Sequence, residues 1–159
     1  MHKIFTDVEF QLDMLNCLLS ELSDLDYKNK GTHITSIGAH VRHIIEYIQM
    51  LIYSDLNVPV NYENRKRDFK IENDREYAKN LLNELKTKLH KTDKPVSVIE
   101  DSVVYKSSYL REMLYMHEHI VHHCAILKIE FNSLSYLNVD PCFGFAKSTL
   151  KHMNNNVST

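Results

Sequence analysis

The chain of 159 residues contains no tryptophan, three glycines, three prolines and three cysteines. So little glycine and proline leaves few sharp turns, which argues against a fold of many short strands and for long helices joined by few loops. Cys17, Cys124 and Cys142 are scattered, with no CxxC pair. That spacing gives no disulfide framework; the three read as reduced thiols, two of them filling core. No apolar run approaches the roughly 20 residues of a membrane-spanning helix. Neither sign of charge dominates, with 19 Lys and Arg against 21 Asp and Glu. A net charge of −2 excludes a global attraction to nucleic acid or anionic membrane, so neither is an expected partner. The opening MHKIFTDVEFQLD has no uninterrupted apolar core, so no secretory signal is expected and the reading is cytoplasmic.

What is present is an ordinary balance for a globular protein, 43% hydrophobic and 25% charged, at a length suited to a single domain spanning 1–159. Four stretches carry helical periodicity. Ile4, Val8, Leu12, Leu15, Leu18, Leu19 and Leu22 predict a helix over about 3–25, and DYKNKGTH reads as a loop after it. Thr35 or Ser36 can cap a second helix with Ile37, Val41, Ile44, Ile45, Ile48 and Leu51 on one face. The polar stretch NYENRKRDFKIEND reads as a connection, and Asp74 caps a third helix striped by Tyr77, Leu81, Leu82, Leu85 and Leu89. The β-branched alternation of PVSVIEDSVVYKSS predicts an extended segment or short hairpin. Ser107 or Ser108 then caps a fourth helix reaching about Phe131. The remainder, 132–159, reads as a C-terminal extension with a turn at Pro141, a short helix near Ser148 and a polar tail that frays. Four amphipathic helices with loops long enough for crossovers predict an all-α bundle.

Chemistry concentrates in MHEHIVHHCAIL, residues 116–127, where four histidines occupy seven positions. Successive helical residues are about 100° apart, so His119 and His123 lie on one face a turn apart. Two imidazoles at that spacing can share one metal ion. His122 falls farther from the apolar stripe and reads as a rim residue, and His117 as a core histidine with one hydrogen-bond partner. A tight site needs a third ligand. In IGAHVRHIIE, His40 borders the stripe of Ile37, Val41 and Ile44, whereas His43 turns farther towards solvent. His40, His119 and His123 are therefore the candidate metal ligands, provided that the second and fourth helices are neighbours. Chance pairing among 10 histidines, capping and core satisfaction are the plain alternatives.

The blocks SIGAHVRHIIEYIQMLI and REMLYMHEHIVHHCAILKI resemble the DinB-like (DinB/YfiT) superfamily in order, in spacing and in chain length. The resemblance spans roughly residues 3–131. It implies a four-helix bundle of up-down-down-up arrangement. It also implies a divalent metal held by one histidine of the second helix and an HxxxH pair of the last long helix, here His40, His119 and His123. The chain departs from the family in two ways: many relatives follow the last histidine with Arg-Gly, where this chain has Cys124 and Ala125, and it has no tryptophan, although aromatic residues often surround the relatives' site.

Three neutral imidazoles leave a divalent ion with open positions, which points to a catalytic rather than a closed structural site. Zinc, nickel and iron all suit imidazole. Cys124 lies on the apolar stripe and reads as core. Glu46 and Glu118, near the histidines in sequence, read as solvated helix face, so no general base is named and the catalytic residues are unknown. Arg65, Lys66 and Arg67 read as a charged loop, with pairing to an anionic ligand group as the alternative. Enzymes similar in fold imply a metal-dependent S-transferase or hydrolase that activates a thiol or water towards a small electrophilic substrate, with a low-molecular-weight thiol as cosubstrate. The alternative is a non-catalytic, stress-related binding or interaction bundle that keeps the metal site or only the scaffold. A homodimer fits either, because a bundle can bury a leftover apolar face against its own copy.

Overall fold

The computed structural model describes residues 2–30 and 35–156. In chain order these form α1 (Lys3–Glu21), α2 (Asp24–Lys28), α3 (Ile37–Ile52), α4 (Phe69–Asn73), α5 (Arg75–Lys88), β1 (Pro95–Glu100), β2 (Val103–Ser108), α6 (Tyr109–Asn132) and α7 (Lys147–Asn156). The protein is mostly helical, with one small two-stranded sheet among the described residues. The long helices pack in a ring of neighbours: α6 lies against α1 and α3, and α5 lies against the same two. Their apolar stripes meet in one core that includes Leu12, Leu15 and Leu19 of α1, Ile44 and Ile48 of α3, Leu82 and Leu85 of α5, and Met113, Ile120 and Leu127 of α6. No described helix is long and apolar enough to cross a membrane.

Side-chain caps set most helix starts. Ser36 accepts from the Ala39 amide at 3.1 Å, which settles the cap of α3. Asp74 accepts from Tyr77 at 2.9 Å, and Ser108 caps α6 by accepting from Arg111 at 3.4 Å. Two expectations about the connections need correction. The first helix ends at Glu21, and the start of the expected loop is a separate turn of helix, α2, capped by Ser23, whose Oγ accepts from Asp26 at 3.0 Å. The polar connection after α3 is not merely a tether. It buries Tyr62 and Ile71 and contains α4. Residues 31–33 of the expected loop and 157–159 of the expected frayed tail lie outside the described residues.

Close approach at Gly38 fixes α4. A Cβ there would stand 2.1 Å from the Glu72 carbonyl oxygen, so the backbones of α3 and α4 touch only because this position has no side chain. Arg42 of α3 then reaches Glu72 at 2.7 Å, and the buried Tyr27 hydroxyl donates to the Ile71 carbonyl at 2.6 Å.

The segment 95–108 is an antiparallel hairpin, with Glu100 opposite Val103 and the turn residues Asp101 and Ser102 at φ 47° and 65°. Val60 pairs with β1: its amide donates to the Ser97 carbonyl at 2.7 Å, and its carbonyl accepts from Ile99 at 2.9 Å. This pairing pins the chain after α3 to the hairpin and so delivers Tyr62 and Arg65 to the α3–α6 seam. Of the three thiols only Cys124 is buried, Cys17 being exposed, against the expectation of two in the core. Phe143 anchors the C-terminal extension, fully buried beside Phe131 at 5.8 Å between ring centroids.

Candidate metal centre

Because α3 and α6 are neighbours, histidines from both meet in their seam. His119 and His123 are a turn apart on α6, and both are half-buried. The α3 histidine that joins them is His43. Its Nε2 lies 2.9 Å from Nε2 of His119, and its ring centroid is 4.4 Å from that of His123 and 5.0 Å from that of His119. The rings of His119 and His123 are 4.6 Å apart. One nitrogen from each of His43, His119 and His123 falls within 4.8 Å of the other two, so the three could hold a metal ion. An ion with ligand bonds of 2.0–2.1 Å in tetrahedral geometry needs nitrogens about 3.3 Å apart, a small adjustment of these rings.

His40 comes to the edge of the same cluster. Its Nδ1 is 3.4 Å from Nδ1 of His123, and its Nε2 is 2.9 Å from the Thr35 hydroxyl. The structure thus brings His119 and His123 together as expected and adds both α3 histidines. His43, expected towards solvent, is half-buried inside the triad, while His40 touches His123 alone among the three. The reason is that α3 presents i and i+3 to the same seam, and His43 sits at the depth of both α6 rings. His122 is exposed and His117 is buried, its Nδ1 3.5 Å from Glu118 Oε1, both close to expectation.

Burial disfavours the charged form of all four imidazoles. Burial, then the neighbouring rings and Arg65, push His43 down to about 3, and the same causes push His123 down to about 3. Burial, with His122 and Arg65, lowers His119 to about 4, and burial chiefly lowers His40. Neutral imidazole is the form that ligates a metal.

Tyrosines surround the cluster. Tyr47, one turn beyond His43 on α3, lies flat on His119 with centroids 4.1 Å apart and 14° between planes. Tyr62 stacks in turn on Tyr47 at 5.1 Å and 10°, and Tyr115, one turn before His119, stands 6.1 Å from it. Tyr47, Tyr62 and Tyr115 also line a cavity of about 460 Å³ whose far side is formed by the hairpin, with Tyr105, Lys106 and Arg111 among its walls. Tyr47 and Tyr115 are therefore a wall common to the cavity and the histidines.

Glu46 corrects the reading of a solvated face. It is 3% exposed and accepts from the Asp68 amide at 2.8 Å and from Arg65 Nε at 3.1 Å, with Arg42 Nε 3.7 Å away. Arg65 likewise turns inward, whereas Lys66 and Arg67 are exposed. Its guanidinium also donates to the Tyr62 carbonyl at 3.0 Å and to Nδ1 of His43 at 2.6 Å, and lies 4.9 Å from the Tyr47 centroid. Glu118 is exposed, as expected.

The spacing of Tyr115, His119 and His123 at i, i+4 and i+8 was visible in the sequence, as was His43 with Tyr47 at i, i+4. Nothing local marks Arg65 or Tyr62, which reach the site only through the Val60 pairing. Comparison with known proteins finds no family model, no curated protein and no solved structure that matches this chain.

Proposed function

We propose that the protein is a divalent-metal-dependent enzyme of the DinB-like kind, acting as an S-transferase or hydrolase on a small electrophilic substrate. The observation that carries this reading is the meeting of three neutral imidazoles, His43, His119 and His123, beside a tyrosine-walled cavity. The ring of contacts among α1, α6, α3 and α5 supports the up-down-down-up four-helix bundle that the reading includes.

Zinc, nickel or iron suits an all-imidazole donor set. Held by three protein ligands, such an ion keeps open positions and supplies Lewis acidity that favours loss of a proton from a thiol or water at neutral pH. The chain's own residues do the rest. His43, His119 and His123 offer the donor nitrogens, and burial keeps them unprotonated. His40 faces Nδ1 of His123 and so orients that ring. Tyr47 and Tyr115 restrict water on the side facing the cavity. The exposed Arg111 and Lys106 at the cavity wall can meet an anionic group of a substrate or thiol cosubstrate.

Elemental analysis of protein purified without a histidine tag tests the first step, with one divalent ion per chain expected and loss of that ion in His119→Ala. A screen of low-molecular-weight thiols against alkyl and acyl electrophiles tests the second. Identical behaviour of the metal-free and metal-loaded protein towards every pair would reject the catalytic reading.

A further inference from the structure

Resting on the metal reading above, we infer that Arg65 is a latch on the histidine cluster, and that a divalent cation can use His43 only after the guanidinium withdraws from it. A guanidinium has five N–H donors and no acceptor. Arg65 Nη2 stands 2.6 Å from Nδ1 of His43, so that nitrogen must present its lone pair. A neutral imidazole then carries its hydrogen on Nε2. That atom is 2.9 Å from Nε2 of His119, a hydrogen-bond distance, with His43 donating.

A ligating imidazole has the opposite requirement. The nitrogen on the metal gives its lone pair, and the other carries the hydrogen, which normally goes to a carboxylate, a carbonyl or water. If Nε2 of His43 takes the ion, Nδ1 bears an N–H that faces the N–H of Arg65. If Nδ1 takes the ion, Arg65 occupies its place. Either way the contact must open.

His123 shows the contrast within the same cluster. Its Nδ1 meets Nδ1 of His40, an imidazole that can accept as well as donate, and His40 in turn meets the Thr35 hydroxyl, which can also do both. That ring is free to take the ligating tautomer without losing a partner. His43 is not.

Arg65 is well placed to open this one contact and keep the others. Nε is bound to Glu46 at 3.1 Å and Nη1 to the Tyr62 carbonyl at 3.0 Å, so two anchors remain when Nη2 lets go. The segment that carries it is tied to the hairpin through Val60, and Tyr62, three residues before it, is a wall of the cavity. A ligand that shifts Tyr62 would therefore also move the latch, which couples the cavity to metal entry.

The test is zinc affinity, measured by competition with a chromophoric chelator, for the full chain and for Arg65→Ala and Arg65→Met, the second keeping an apolar stem against Tyr47. Removing the latch raises the fraction of competent cluster, so zinc binds about 10-fold tighter or better in both variants. Nitrogen-15 spectra of the imidazoles give an independent signature. In the metal-free chain Nδ1 of His43 is the unprotonated nitrogen, and after zinc saturation it carries the hydrogen. Unchanged or weaker zinc binding in both variants overturns the latch while leaving the metal site standing, as does a hydrogen on Nδ1 of His43 in the metal-free chain. Should neither the full chain nor the variants bind zinc, the metal reading falls and takes the latch with it. Should either variant fail to fold, the spectra of the unaltered chain decide.

Discussion

Tyr47 lies parallel to His119, 4.1 Å from it, and so braces from α3 an imidazole that belongs to α6. The ring, not the hydroxyl, makes this contact, which separates two substitutions. Tyr47→Phe is expected to leave metal affinity and stability within experimental error. Tyr47→Ala removes stacking worth about 0.5–1.5 kcal/mol beyond burial, and its half-buried ring brings the total loss to about 2 kcal/mol. Urea unfolding of both variants, with metal removed, measures it. Equal losses in the two would mean that the hydroxyl carries the effect.

Both His43 and His40 of α3 reach the seam where one histidine was expected, and the proposed site gives them different roles. His43→Ala deletes a nitrogen of the triad and is expected to abolish stoichiometric binding of zinc. His40→Ala deletes the partner of His123 and is expected to weaken zinc by about 10- to 100-fold while the ion is still held. Isothermal titration of the two variants side by side distinguishes them. The reverse order of losses would return the third ligand to His40.

How far the sequence could be read depends on how local each determinant is. The cap at Asp74 is written within four residues and was legible, the caps of α3 and α6 were legible to within one residue, and the segment around Asp101 was legible as extended or hairpin. The pair His119 and His123 was legible for the same reason. The choice between His40 and His43 was not, because both lie near the edge of the α3 stripe and only the depth of α6 against α3 separates them. Arg65 and Glu46 have the sequence context of solvated charges, yet both turn inward. Their burial follows from the Val60 pairing and from α4 docking at Gly38, contacts between distant parts of the chain that no periodicity encodes.

Glu46, at 3% exposure, is the carboxylate that meets Arg65, while Arg42 lies 3.7 Å from it and is held more closely by Glu72 at 2.7 Å. Removing it leaves the Arg65 guanidinium without its carboxylate, and breaking a buried pair in this way costs about 3–5 kcal/mol. Glu46→Ala is expected to lose about that much, and Glu46→Gln less, since an amide can still accept from the Asp68 backbone N–H. Chemical denaturation of the metal-free variants checks the order. A loss below about 1 kcal/mol in Glu46→Ala would place this carboxylate with ordinary surface pairs.

Acid should loosen the metal-free protein earlier than its carboxylates would. His43 and His123 are held to about 3 and His119 to about 4, all below the ordinary imidazole value of 6.5. A base whose folded pKa is depressed binds fewer protons folded than unfolded, so stability rises with pH between the two values. The contribution is whole above 6.5 and is lost progressively as pH falls towards 3–4. Carboxylates held low by their partners, such as Asp24 and Glu84, add their own loss only below their ordinary values of 3.8 and 4.5. The interval from about pH 6.5 to 5 therefore isolates the histidines. Urea midpoints taken with a chelator present are expected to fall across that interval, and to fall less steeply in His123→Ala, which removes one of the protonatable rings. Partial exposure of the cluster screens the effect, so its direction rather than its size is the test. A flat profile from pH 7 to 5 would mean that these imidazoles take up protons as easily folded as unfolded.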